Sequence, residues 1–325
     1  MNRDVVTAEK KMPRLRLPNI GVGWGVILAF VVECVLLTII SPFFLTTANL
    51  FNVLKSFSYT GIIAVGMTML IVVGALDLSV GSMMGLGGMI TAALMTRVGV
   101  NPWVSVLAGL ASGAAAGYVI SLLVNLLKIN SFIVTLGMLS VARGLTYLIS
   151  KGSNIFMKAK GVNFLGQGYL GMVPFPVIIM LVLVVLGSIF LSKTVRGRQI
   201  YAIGGNERAA SLAGVPVNQV RAIAFVLTSV LAAFAGVIAG GMLGSAEMVA
   251  GTGVELDVIA AVIIGGASLK GGKGTIAGSI IGAAIMGVLR NGFILIGLPY
   301  EAQVISIGLV IILAVVIDSL RSSRR

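Results

Sequence analysis

The stretch KTVRGRQIYAIGGNERAASLAGVPVNQVR, residues 193–221, is polar and basic and lies between two long apolar runs. Within it, Asn206 is placed to cap a short helix, and Gly214 followed by Pro216 is placed to end it. The apolar stripe of this helix consists of Ala209, Leu212 and Ala213. Isolated helices shorter than ~12–15 residues are marginal in water, so we expect this one to dock against a partner.

The composition indicates a membrane protein. Apolar residues make up 58% of the 325 residues, charged residues 10%, and the mean hydropathy is +1.10, whereas soluble domains carry about 25% charged residues. The chain has no histidine, and its one cysteine, Cys34, lies in the first apolar run. An internal disulfide and a multi-cysteine metal site are therefore excluded. Since no Ser-His-Asp set is possible either, we predict that the chain is not an enzyme.

Apolar windows predict an all-α, polytopic transmembrane protein with about ten spans. The predicted spans are 22–40, 57–74, 79–96, 103–127, 130–149, 174–192, 221–244, 255–267, 275–296 and 301–318. The eighth is short for a ~30 Å hydrocarbon core, so we expect it to be re-entrant or broken at Gly265-Gly266. The first ends in SPFFLTT rather than in a small-residue cleavage site, so we expect an uncleaved anchor.

The distribution of lysine and arginine predicts that both termini are cytoplasmic. With that topology, 16 of these residues lie in inside segments and five in outside segments, as the positive-inside rule requires. This distribution also accounts for the net charge of +13 without a nucleic-acid partner. The predicted organisation is a basic tail (1–21), a transmembrane domain (22–318) that contains the loop 193–221, and a short C-terminal tail (319–325).

Glycine accounts for 43 residues and often recurs at every fourth position, as in Gly109, Gly113 and Gly117. In lipid, small residues at this spacing allow close helix packing. A weak internal similarity is also present: VVGALDLSVG (72–81) resembles IIGGASLKGG (263–272), with Gly74 aligned to Gly265. Repeated halves are common in transporters.

Polar residues in or beside the spans are candidates for a translocation path, because a charge in a bilayer is costly and usually faces protein or water. Two of them have alternative interpretations. Asp77 is placed to cap the following helix, to contact substrate or to hold a gate. Arg143 is placed to line a path or to pair with a structural acid. The glycine-rich loop IIGGASLKGGKGT (263–275) lacks the phosphate-loop spacing. The candidate path residues are Asp77, Ser79, Asn125, Asn130, Thr135, Arg143 and Asn291.

Four long segments together resemble one protein family. They are AVGMTMLIVVGALDLSVGSMMGL (64–86), INSFIVTLGMLSVARGLTYLIS (129–150), GRQIYAIGGNERAASLAGVPVNQVR (197–221) and GTGVELDVIAAVIIGGASLKGGKGTIAGSIIGA (251–283). In order and extent they are similar to the ribose-type permeases of bacterial ATP-binding-cassette importers for simple sugars. The resemblance implies a multi-pass protein of the bacterial inner membrane, a second permease copy (the same or a related chain), a cytoplasmic ATPase that binds the ATP, and a periplasmic or lipid-anchored sugar-binding protein.

By the same resemblance, the short helix and its flanks would be the element that couples to the ATPase, and the permease itself would hold no cofactor. The implied coupling residues are Gly205, Asn206, Glu207, Arg208, Ala209, Ala210 and Gly214. The outer segment 150–173 carries Lys151, Lys158 and Lys160, and we expect it to receive an acidic surface of the binding protein. Two other function classes remain open, namely an ion-gradient-driven secondary transporter of a small polar solute and a scaffold or channel subunit. The sequence does not specify which sugar or polyol is carried.

Overall fold

The computed structural model describes residues 22–322; the predicted tail 1–21 and the last three residues lie outside this range. The described chain is mostly helical, as predicted. Its helices are α1 (Val22–Ile40), α2 (Thr47–Val72), α3 (Val80–Ala93), α4 (Pro102–Leu126), α5 (Ser131–Ser150), α6 (Lys160–Gln167), α7 (Phe175–Lys193), α8 (Val195–Gly205), α9 (Glu207–Leu212), α10 (Val217–Leu243), α11 (Val254–Ile264), α12 (Ile276–Leu295) and α13 (Tyr300–Ser322). Two antiparallel strand pairs accompany them: β1 (Ile155–Phe156) with β4 (Ser245–Ala246), and β2 (Tyr169–Leu170) with β3 (Val173–Pro174).

Six of the described helices, α2, α4, α5, α7, α10 and α12, are long and apolar enough to cross a membrane. Shorter apolar helical stretches occur at Gly25–Ile40 and Tyr300–Val316. In contrast, α11 has only 11 residues, and at 1.5 Å per residue it spans about half of a ~30 Å hydrocarbon core. The chain is thus a multi-pass membrane protein. The count of ten crossings and the cytoplasmic termini remain predictions.

Helix α10 lies at the centre and packs against α4, α3 and α2. The glycines of α4 allow this contact: a Cβ added at Gly113 would lie 2.6 Å from the carbonyl oxygen of Ser229, and one at Gly117 would lie 2.7 Å from the Cα of Val226. The predicted close packing through glycines at every fourth position is confirmed for this helix pair.

Two short helices, α3 and α11, begin inside the protein with their N-terminal ends adjacent. Gly81, in the first turn of α3, packs directly against Gly251 and the Glu255 side chain. From this point α11 runs toward the face formed by residues 193–221, which we call the basic face, where Gly271 packs against Gly204. Helix α3 runs the other way, toward what we call the opposite face. The short eighth apolar window is therefore a partial span that ends at Ile264, directly before Gly265.

The internal similarity between residues 72–81 and 263–272 has a structural counterpart, but in a different register. Helices α2 and α11 end in the same way: the amide of Ala75 donates to the carbonyl of Leu70, and the amide of Ala267 donates to that of Val262. Gly74 and Gly266 occupy the left-handed position, with φ of 86° and 94°. Gly74 therefore corresponds to Gly266, which shares its left-handed position, rather than to Gly265, whose φ is −64°.

Some helix boundaries differ from the apolar windows. Helix α2 begins at Thr47, ten residues before the predicted 57, and the Thr46 hydroxyl accepts from the amide of Asn49. The basic segment contains a further helix, α8, which begins after the Thr194 cap and was not predicted. Helix α13 continues to Ser322, beyond the predicted 318. Hydropathy windows omit polar helical turns, whereas capping hydrogen bonds place the true helix starts.

Candidate functional site

The short helix predicted in the basic segment is present as α9. Its first turn is capped by Asn206, whose Oδ1 accepts from the amide of Ala209 at 2.9 Å. Behind its end, Gly214 has a φ of 81°, and the amide of Val215 donates to the carbonyl of Ala210 at 3.0 Å. The predicted cap and the predicted glycine stop are both confirmed.

One side of α9 is exposed. Leu212 is 84% exposed, and Arg208, Ala209 and Ala213 are also exposed. Ala210 faces inward and is only 5% exposed. The apolar stripe predicted for this helix, Ala209, Leu212 and Ala213, is therefore exposed and available to a partner.

The other side of α9 is fixed to the transmembrane helices. Nη2 of Arg221, in α10, lies 2.6 Å from Oε2 of Glu207. Nη1 of Arg221 donates to Oδ1 of Asn125, in α4, at 3.3 Å, and Nδ2 of Asn125 donates to the carbonyl of Asn218 at 3.0 Å. Helices α9, α10 and α4 are therefore joined by a continuous polar network, which we call the Arg221 network.

Helix α8 connects the same segment to the ends of α2 and α11. The Tyr201 hydroxyl donates to the carbonyl of Gly274 at 2.7 Å, and the amide of Gly272 donates to the carbonyl of Val72 at 2.8 Å. Desolvation raises the pKa of Tyr201 above its usual value, so its hydroxyl remains a donor at neutral pH. Gly205, one of the residues predicted to couple, ends α8 and is exposed. Helix α8 therefore contacts α2, α10 and the loop that follows α11.

Asp77 and Ser79 are both fully buried in the connection before α3. Oδ1 of Asp77 accepts from the amide of Ser79 at 2.7 Å and from its hydroxyl at 2.6 Å, and Oδ2 accepts from the Ser229 hydroxyl at 3.4 Å. The N-cap residue of α3 is Ser79, so the expectation that Asp77 itself caps the helix is wrong. Its carboxylate instead closes a local turn in front of the cap.

The other candidate path residues are distributed over the molecule. Asn130 caps α5, with its Oδ1 accepting from the amide of Phe132 at 2.8 Å, and Thr135 is buried and donates to the carbonyl of Ser131 at 2.8 Å. Nη1 of Arg143 donates to the carbonyl of Ala250 at 2.7 Å and so holds the segment before α11. Asn125 belongs to the Arg221 network. The part of these residues in translocation remains a prediction.

Asn291 is different, because it lies in a polar cavity. It forms two hydrogen bonds with Asn49: Nδ2 of Asn49 donates to Asn291 at 3.0 Å, and Nδ2 of Asn291 donates to Asn49 at 2.7 Å. Beside them, Nη2 of Arg290 lies 2.6 Å from Oδ2 of Asp257. The sequence did not predict this cavity, because Asn49 precedes the predicted second span. One signal was available: the eighth and ninth predicted spans carry opposite charges, Asp257 and Arg290.

Comparison with known proteins identifies the family. Residues 49–315 match the family described as branched-chain amino acid transport system / permease component. The chain belongs to this permease family. Its relatives include the ribose import permease protein RbsC of Escherichia coli K12, which is 42% identical over 90% of this chain and 92% of its own length. The RbsC of Bacillus subtilis is 37% identical over 99% of this chain and 100% of its own length.

A further member of the family is the D-allose transport system permease protein AlsC of Escherichia coli K12, which is 36% identical over 94% of each chain. No solved structure matches the chain. The resemblance that the sequence showed to permeases of the ribose type is therefore confirmed. These relatives are transport permeases rather than enzymes.

Proposed function

We propose that this chain is the membrane permease subunit of an ATP-binding-cassette importer for a simple sugar or a related polyol, in the inner membrane of a bacterium. The observation that carries the proposal is α9, which exposes Leu212 on one side and is fixed through Glu207 on the other. The names of the similar permeases, which are for ribose and allose, support a small sugar as substrate.

In this proposal the basic face is cytoplasmic and α9 is the coupling helix. It docks on a cytoplasmic ATPase, and ATP-driven movement of that ATPase displaces α9. The Arg221 network passes the displacement to α10 and α4, and α8 passes it to the ends of α2 and α11. Because these helices are closely packed, they move as rigid bodies, which supports alternating access between two copies of the permease.

The opposite face would receive the sugar-binding protein, whether periplasmic or lipid-anchored. Lys151, Lys158 and Lys160 are exposed there. Their segment is held in place by the β1–β4 pair and by the amide of Met157, which donates to the carbonyl of Gly244 at 2.8 Å. An exposed basic surface on a fixed support favours an acidic partner.

The energy source tests this function most simply. Membrane vesicles containing the chain and its native partners are loaded with an ATP-regenerating system and given D-ribose, L-arabinose or D-allose with the binding protein outside. We expect uptake of at least one sugar to require ATP and to persist when a protonophore removes the ion gradient. Uptake that stops with the protonophore and ignores ATP would instead establish an ion-gradient-driven secondary transporter.

A further inference from the structure

The cavity that contains Asn291 lies between α2, α11, α12 and α13 and has a volume of about 400 Å³. Pockets for small molecules measure ~300–1,000 Å³, so it is large enough for a ligand. Asp257 lies in the first turn of the partial span α11, so the cavity extends into the body of the helix bundle. Its polar lining residues are Asn49, Asn52, Ser56, Tyr59, Thr60, Asp257, Arg290, Asn291 and Gln303.

Two buried polar atoms in this cavity have no partner among the residues that the structure describes. They are Oδ1 of Asp257 and Nε of Arg290. Each residue uses another atom for their ion pair. The Asp257 side chain is only 7% exposed. An unpaired polar atom at that burial carries a desolvation cost, so this ion pair at the cavity wall is not fully satisfied by the described residues.

The charges of the cavity favour a neutral ligand. Asp257 and Arg290 neutralise each other, and the remaining polar groups are amides and hydroxyls. Asn52 and Ser56 are exposed toward this space, and Gln303 uses only its Nε2, which donates to the carbonyl of Leu298 at 2.8 Å. Amides and hydroxyls each pair with groups that both donate and accept. A compound with several hydroxyl groups has this property.

We propose that this cavity between α2, α11, α12 and α13, which we call the polar chamber, is a transient binding site for a neutral monosaccharide inside the permease. The inference rests on the proposed function, because a sugar must cross the subunit for the site to be used. Arg290, whose side chain is 39% exposed, donates to a sugar hydroxyl, while Asn52 and Ser56 border the ligand. The sugar therefore loses its hydration gradually as it leaves the binding protein.

Cysteine labelling tests occupancy directly, without the ATPase. The single native cysteine is removed as Cys34→Ser, and Ser56→Cys is added in the full-length chain in lipid nanodiscs. A hydrophilic maleimide reports access to the chamber, and D-ribose, L-arabinose and D-allose are the probes. At a sugar concentration of twice the dissociation constant, about one third of the chambers are empty. We therefore expect about threefold slower labelling with the sugar that is carried. The matched control is Ser153→Cys, which is exposed on the opposite face and should be labelled at the same rate with or without sugar.

Uptake by the complete importer gives the second readout. Asn52→Ala breaks no hydrogen bond that the structure shows, and the double variant Asp257→Asn with Arg290→Gln removes both charges together. In each we expect the uptake rate at saturating sugar to fall by about tenfold, with the ATPase still bound. The sugar site is overturned, with the importer intact, if these variants take up sugar at the wild-type rate and the sugars do not slow the labelling of Ser56→Cys. The same holds if the variants take up sugar at the wild-type rate and glycine betaine slows the labelling as much as the sugars do. Absence of ATP-dependent uptake in the wild type would instead count against the proposed function.

Discussion

Nη2 of Arg221 lies 2.6 Å from Oε2 of Glu207, so the first acid of α9 is bound to the first turns of α10. The Arg221 side chain is 11% exposed and the Glu207 side chain 54%. Glu207 therefore holds α9 to α10 and still leaves about half of its side chain exposed to a partner. In the proposed function, docking of an ATPase and transmission of its movement would accordingly depend on different side chains of the same six-residue helix.

Breaking this anchor should uncouple transport from ATP hydrolysis. In Glu207→Gln, Arg221 loses its charged partner while the exposed side of α9, with Leu212, is unchanged. We expect the ATPase to remain bound and uptake per ATP hydrolysed to fall by about tenfold, within the ~5–150-fold range of coupling between sites. The control is Arg198→Gln on the same face, which should leave the ratio unchanged. An unchanged ratio in Glu207→Gln would show that the network does not transmit the movement.

The Asp77 carboxylate should be required mainly for stability. Asp77→Ala leaves the buried amide and hydroxyl of Ser79 without their acceptor, at a cost of about 1–3 kcal/mol for each unsatisfied group. Asp77→Asn keeps one acceptor oxygen and should cost less. Thermal unfolding of the purified variants in detergent measures this order. If both variants unfold as the wild type does but fail in uptake, Asp77 acts on the substrate or on a gate instead.

Close packing of α4 on α10 predicts a contrast between two glycines. Gly113→Ala places a Cβ 2.6 Å from the carbonyl oxygen of Ser229, whereas a Cβ at Gly137 meets no atom within 4 Å. Overpacking of this kind costs about 1–3 kcal/mol, so we expect Gly113→Ala to lower the melting temperature and Gly137→Ala to leave it unchanged. Equal melting temperatures would contradict the packing of these helices.

The basic surface on the opposite face should act in docking of the binding protein. Replacing Lys151, Lys158 and Lys160 together by Glu changes three exposed positive charges into three negative ones and leaves the transmembrane helices unaltered. We expect slower association at low salt, and a smaller difference from the wild type as salt rises, because exposed charges are screened beyond ~10 Å at 0.1 M. Surface plasmon resonance at several salt concentrations measures this. Identical association rates at low salt would exclude this surface.

The features that sequence predicted well depend on local chemistry. Helix α9 was predictable because Asn206 and Gly214 mark its ends within a few residues, and the family was recognisable from four long segments. The start of α2 was missed because Asn49 and Asn52 lie in polar helical turns outside any apolar window. The register of the internal similarity was wrong by one residue, since IIGGAS offers two adjacent glycines and only the backbone angle distinguishes Gly266 from Gly265.

The polar chamber was not predictable for a different reason. Asp257 and Arg290 are 33 residues apart in sequence and meet only because α11 begins inside the protein. An apolar window treats such a partial span as a complete one and places its first acids at the membrane surface. The depth of a helix start is a property of packing, which in this case depends on the contact of Gly81 with Gly251.

The most direct test of the account is whether α9 holds an ATPase. The chain is purified gently from its native membrane at low salt, and the co-eluting proteins are identified by mass spectrometry, in parallel with Leu212→Asp. The matched control is Met172→Asp, an apolar residue that is 75% exposed on the opposite face. We predict that a cytoplasmic ATPase co-elutes with the wild type and with Met172→Asp and is lost from Leu212→Asp. An ATPase that stays with Leu212→Asp, or that is absent from all three preparations, would contradict the account.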